Sequence, residues 1–140
     1  MLKFKKAIGS ILMMTVLSLP MTVSIPVSAD IISTNSLYTD SCTTNLTVSG
    51  KDASCISKVT GFRGKTTKIV ITQTLQKKNS SGSWSSVKSS SKTENSYTAS
   101  LAKSYSGLAK GTYRVKTTAT VYSGNKSETV TSYSSTKTVR

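Results

Sequence analysis

Tyr113, Val115, Thr117, Ala119 and Val121 alternate with Arg114, Lys116, Thr118, Thr120 and Tyr122. A period of two sends successive side chains to opposite faces of an extended backbone. A helix cannot use such a pattern, because its faces repeat every 3.6 residues. The same period recurs along most of the chain. Leu46 and Val48 alternate with Thr47 and Ser49, and Gly50–Lys51–Asp52 then makes a turn. Ala53, Cys55, Ser57 and Val59 follow, ending at Gly61 and Gly64. Thr67–Lys78 is the most β-prone stretch, with Ile69, Ile71 and Leu75 on one face and Val70, Thr72 and Thr74 on the other. Asn79–Ser80–Ser81–Gly82 reads as a hairpin loop. Trp84 and Val87 open a more polar strand that fades near Ser91, and Ser96–Tyr105 makes another. Ser123–Gly124–Asn125–Lys126 is the last turn, and Glu128–Val139 the last strand.

This spacing predicts an all-β chain: a seven-stranded antiparallel Greek-key β-sandwich over residues 42–140. One short motif supports it. Leu108, Gly111 and Tyr113 stand as L-x-x-G-x-Y at the entry of the sixth strand. The motif resembles the tyrosine corner of Greek-key sandwiches, in which the hydroxyl bonds backbone a few residues upstream. With a Trp in the hairpin after the third strand, the order resembles a fibronectin type III or immunoglobulin-like domain. The expectation for Trp84 is a core position. A narrower likeness rests on Thr67–Lys78, Gly82–Lys88 and Gly111–Lys116. These runs resemble small secreted proteins of Gram-positive bacteria. That resemblance implies a bacterial, exported sandwich and brings no catalytic residues with it.

The N-terminus supports export independently. Lys3, Lys5 and Lys6 precede an apolar run from Ala7 to Pro20, and Val27–Ser28–Ala29 supply the small residues of a cleavage site. Residues 1–29 are therefore expected to be a signal peptide, and the protein to be secreted. The run is broken by Pro20 and is short for a membrane span, so contact with the membrane is expected only through this segment before cleavage. Residues 30–41 are polar and aperiodic and read as a flexible leader. In an exported chain, Cys42 and Cys55 are expected to form a disulfide. Its loop would be worth about 3 kcal/mol in the chain-entropy model.

Composition narrows the chemistry. The chain has no His, which removes the commonest general base and metal ligand. Its five acids, Asp30, Asp40, Asp52, Glu94 and Glu128, fall in the leader, near turns or at a strand start. No spacing pairs two of them across a cleft, and no nucleophile elbow or P-loop is present. No enzyme, cofactor or metal site is expected.

The charge is large: 19 Lys+Arg against 5 Asp+Glu, a net +14. Strand parity puts Arg114 and Lys116 on the outward side of the sixth strand, and Lys68 and Lys78 on that of the third. Neighbouring strands would merge these residues into one threonine-rich face with basic ends, edged by Lys88 and Lys126. Lys68, Lys78, Arg114 and Lys116 are the candidate binding residues. The expected partner is an anionic cell-wall polymer or glycan, engaged in a salt-sensitive way. Nucleic acid is not expected, because Arg is scarce and no recognition module is present. The alternative is a cationic, bacteriocin-like or membrane-active protein, although no amphipathic helix is evident.

Overall fold

The computed structural model describes residues 36–140. The expected signal peptide and most of the expected leader lie outside them. Eight strands follow in chain order: β1 (Thr39–Ser49), β2 (Asp52–Gly61), β3 (Lys68–Lys78), β4 (Trp84–Glu94), β5 (Thr98–Tyr105), β6 (Gly111–Ser123), β7 (Lys126–Tyr133) and β8 (Lys137–Val139). They form two antiparallel sheets. One has the order β1-β2-β5; the other has the order β4-β3-β6-β7, with β8 also paired to β6. The chain is an all-β sandwich.

Two boundaries differ from the sequence expectation. β1 starts at Thr39, inside the segment read as a leader. Residues 30–41 lack an alternating pattern, but Glu128 supplies the missing partners. Its carboxylate accepts the N–H groups of Leu37 and Tyr38 and the Thr39 hydroxyl at 2.7–2.8 Å. The expected seventh strand is also divided, which makes eight. Lys116 faces Tyr133 while Tyr113 faces Lys137, so Ser134–Thr136 oppose only Arg114 and Val115. Ser134 bridges this extra residue. Its N–H donates to the Val115 carbonyl at 2.9 Å, and its Oγ accepts the Val115 N–H at 2.8 Å. The β6 backbone therefore keeps its partners through the break, as buried backbone must.

The core lies between the sheets in two apolar halves. One contains Cys42, Val59, Ile69, Ile71, Ala119 and Val121 among its members. The other contains Leu46, Cys55, Leu75, Leu108, Tyr113 and Val115 among its members. Between them runs a buried polar layer. Thr44 and Ser57 face each other in the β1–β2 ladder. Across the gap, Gln73, Thr117 and Ser132 form one row of β3, β6 and β7. Thr117 Oγ1 accepts from Thr44 at 2.7 Å and shares a 2.6 Å hydrogen bond with Ser57. Gln73 Nε2 donates to Ser57 Oγ at 2.7 Å and to the Leu101 carbonyl at 3.1 Å.

The Cys42–Cys55 disulfide is corrected by this register. In the β1–β2 hairpin Cys42 faces Val59, and Cys55 faces Leu46. Four residues along the ladder separate the two cysteines, about 13 Å at strand rise. A disulfide needs Cα atoms within about 7 Å. Both thiols are buried, in different halves of the core, and are not joined to each other. Burial pushes the Cys55 thiol up to about 11.

The L-x-x-G-x-Y motif works as a unit. Tyr113 Oη donates to the Ala109 carbonyl at 2.6 Å, and Leu108 N–H donates to the Lys51 carbonyl at 2.9 Å. Gly111 has φ +151°, and a Cβ there would lie 2.5 Å from Lys77 Cε. Lys77 in turn lies over the Tyr113 ring. The positive φ favours glycine at 111, and the end of the Lys77 side chain would have to shift for any Cβ there.

Candidate functional site

Strand parity sets the outer face of the larger sheet. Inward residues of β3 and β6, such as Ile69, Ile71, Leu75, Val115, Ala119 and Val121, are almost fully buried. Their neighbours necessarily face outward. Lys68, Lys78, Arg114 and Lys116 all lie on this outer face. Three of them gather at one end. Arg114 is opposite Gln76, Lys116 opposite Thr74 on one side and Tyr133 on the other, and Lys78 opposite Trp84. Lys68 is at the other end, opposite Tyr122. Eight residues of β3 separate Lys68 from Gln76, about 27 Å at strand rise.

Arg114 is the best-defined of the four. Its guanidinium carbon is 4.2 Å from the centre of the Trp84 ring and 4.4 Å from that of Tyr133. Its Nε donates to Gln76 Oε1 at 2.9 Å. The side chain is stacked between two rings and pinned along one edge. Each stack contributes about 0.5–1 kcal/mol at an exposed site. Because Arg114 is planar and always charged, it keeps its outer N–H groups aimed in a fixed direction. Among the described residues the ion pair present is Lys92–Glu94, at 2.6 Å. Among the described residues no ion pair is made by Arg114, Lys116, Lys78 or Lys68. Lys68 Nζ lies 4.1 Å from the centre of the Tyr122 ring.

Between the two basic ends lies a field of hydroxyls. Thr72 faces Thr118, which faces Thr131, and Val70 and Thr129 flank Thr120 in the next row. Thr72 and Ser91 share a hydrogen bond of 2.8 Å, and Thr74 and Ser89 one of 3.3 Å. The face offers many hydroxyls, fixed cations and flat aromatic rings.

Sequence reasoning misplaced two residues and overlooked one. Trp84 is half-buried on the outer face, not in the core. It sits at the start of edge strand β4, where no strand lies beyond it to cover the ring. Lys88 does not edge the outer face. β4 carries a bulge: Leu75 faces Lys88 while Gln76 faces Ser86, so Val87 is extra. The bulge reverses parity and puts Lys88 on the side of Leu75, an inward residue. Lys126 closes the β6–β7 hairpin opposite Ser123. Tyr122 and Gln76 lie on the outward face, where strand parity put them; Tyr133 was overlooked. Tyr133 was within reach of sequence reasoning, because counting back from the Ser123–Lys126 turn pairs it with Lys116. The acids take structural roles. Glu94 pairs with Lys92, and Glu128 holds the entry to β1. No protein-family model, curated protein or solved structure matches the chain.

Proposed function

We propose that the chain is a secreted, non-enzymatic binding protein whose outer β4-β3-β6-β7 face holds an anionic wall polymer or glycan. The observation that carries this reading is Arg114. It is stacked between Trp84 and Tyr133 and hydrogen-bonded to Gln76. Stacking on aromatic faces is an ordinary arginine contact; what marks Arg114 is that it makes no ion pair among the described residues. It is held in advance of any ligand, which lowers the entropy lost on binding. The hydroxyl field suits a hydroxylated polymer lying across the strands. Lys116 and Lys78 add charge beside Arg114, and Lys68 lies far enough away to reach a second anionic group on the same chain.

Export rests on the residue 1–29 pattern. The fibronectin type III or immunoglobulin-like kind of sandwich is supported by the Tyr113 corner and by β4 lying beside β3 while β5 joins the other sheet.

A salt-titrated pull-down on purified Gram-positive cell walls tests the proposal. Residues 30–140 should be retained at low salt and released as salt rises. Arg114→Gln should weaken retention about tenfold, the loss expected for a charged hydrogen bond. Full recovery of the unaltered protein in the supernatant at low salt would refute the reading.

A further inference from the structure

The end of the sandwich carrying Lys68 is organised differently from the Arg114 end. There the β2–β3 loop, residues 62–67, makes a tight turn. Lys65 and Thr66 N–H groups both donate to the Phe62 carbonyl, at 3.1 and 2.9 Å. Phe62 N–H donates to the Tyr38 carbonyl at 3.2 Å, and Thr66 Oγ1 donates to the same oxygen at 2.6 Å. Thr66 folds so closely onto Gly61 that a Cβ on residue 61 would collide with it. The loop is therefore pinned at both ends. Even so, Phe62 is 39% exposed, and Leu37, next to Tyr38, is 59% exposed. The ordered loop thus leaves part of the phenylalanine in water.

Cations and aromatic rings surround these two residues. Arg63 stacks 4.9 Å from the centre of the Tyr97 ring and donates from Nη2 to its hydroxyl. Lys65 Nζ lies 5.5 Å from the Tyr38 ring and 6.0 Å from the Phe62 ring. Lys68 covers Tyr122. Two carboxylates also lie at this end: Glu128, which accepts from Leu37, Tyr38 and Thr39, and the exposed Asp40 beside Thr39; Glu94 pairs with Lys92. The end thus combines three cations that make no ion pair among the described residues, tyrosine rings and two partly exposed apolar side chains.

We propose that this end is a second binding site and that its partner is a membrane surface rich in anionic phospholipid. Phe62 and Leu37 enter the boundary between headgroups and acyl chains. Arg63, Lys65 and Lys68 meet the phosphates, and Tyr38, Tyr97 and Tyr122 lie at the polar–apolar border, where amphipathic rings are favoured. A soluble polyanion would satisfy the three cations but leave Phe62 and Leu37 in water, so the apolar residues favour a membrane. The site is separate from Arg114, shares Lys68 with the polymer face, and does not depend on the polymer reading.

The test uses residues 30–140, which contain every described strand, with circular dichroism to verify the β fold of each variant. The protein should co-sediment with vesicles of equal phosphatidylglycerol and phosphatidylcholine, and not with pure phosphatidylcholine. Arg63→Gln with Lys65→Gln should weaken partition about fivefold for each charge removed. Phe62→Ser should weaken it about tenfold. Arg114→Gln should leave it unchanged, so the two sites can fail independently. In a Trp84→Phe background, Phe62→Trp should shift its emission to the blue on the anionic vesicles and not with dextran sulfate. Absence of partition onto anionic vesicles would overturn the proposal. So would partition that survives the loop substitutions but is lost with Arg114→Gln. A blue shift with dextran sulfate and none with vesicles would assign the loop to a soluble polyanion and overturn it too.

Discussion

Glu128 accepts the Tyr38 N–H at 2.7 Å, across ninety residues of chain. A carboxylate near the start of β7 thereby fastens the segment that leads into β1. Desolvation by itself would raise the Glu128 pKa. The hydrogen bonds from Leu37, Thr39 and Tyr38 outweigh it and hold the group below the usual carboxylate value. The stabilisation is therefore present above the unfolded value, about 4.3, and is lost as pH falls through the lower folded value. Glu128→Gln should cost about 1 kcal/mol at neutral pH, discounted because the group is partly solvated. It should also flatten the acid side of the stability curve. Hydrogen exchange at the Leu37 and Tyr38 amides is the direct check. Unchanged protection in the variant would show that the clasp is unimportant.

The buried polar layer should respond unevenly to substitution. Thr117 is its hub, and Thr117→Val leaves the Thr44 hydroxyl without its acceptor inside the core. That should cost about 2 kcal/mol in urea unfolding, the penalty of a stranded buried donor. Gln73→Leu should cost less. It removes two bonds from Nε2, but it also removes Oε1, which has no partner. A larger loss for Gln73→Leu than for Thr117→Val would contradict this account.

The tyrosine corner separates into two measurable parts. Tyr113→Phe deletes the hydrogen bond to the Ala109 carbonyl and should cost about 1 kcal/mol. Gly111→Ala should cost more, because it combines an unfavourable backbone angle with a clash against Lys77. Lys77→Ala should recover the clash and not the backbone strain, so the double variant should be more stable than simple addition implies. Additive losses would show that Lys77 simply moves aside.

Reductant should leave Tm unchanged, because no S–S bond joins Cys42 to Cys55. Cys55 is buried and its thiol is raised to about 11, so thiolate is scarce at neutral pH. Alkylation of Cys55 should be slow in the folded protein and fast in denaturant. A fall in Tm on reduction would mean that the two cysteines are bonded after all.

Trp84 is the single tryptophan of the chain and lies against Arg114 at 4.2 Å. Its fluorescence should change when an anionic wall polymer binds the outer face, and added salt should reverse the change. Titration with polymer that leaves the emission constant would remove the Arg114 end from the binding surface.

Local pattern determined much of this protein. The alternation around Ile69, Ile71 and Leu75, and around Tyr113, Val115 and Val121, set which side chains are buried, because strand parity depends on nothing outside the strand. The same parity put Lys68, Lys78, Arg114 and Lys116 on one face, and the L-x-x-G-x-Y motif marked the Tyr113 corner. What the sequence left open was whatever depends on register and on distant partners. An exported chain with two cysteines made Cys42 and Cys55 look like a bridge, but the hairpin register set them four ladder positions apart. The Val87 bulge moved Lys88 to the Leu75 side of the edge strand, where it stays exposed, and the Ser134 break divided the last strand. A single inserted residue does both, and nothing in the alternation announces it. The Glu128 clasp and the Trp84–Arg114–Tyr133 stack join segments far apart in the chain. Packing of the whole sandwich brought them together.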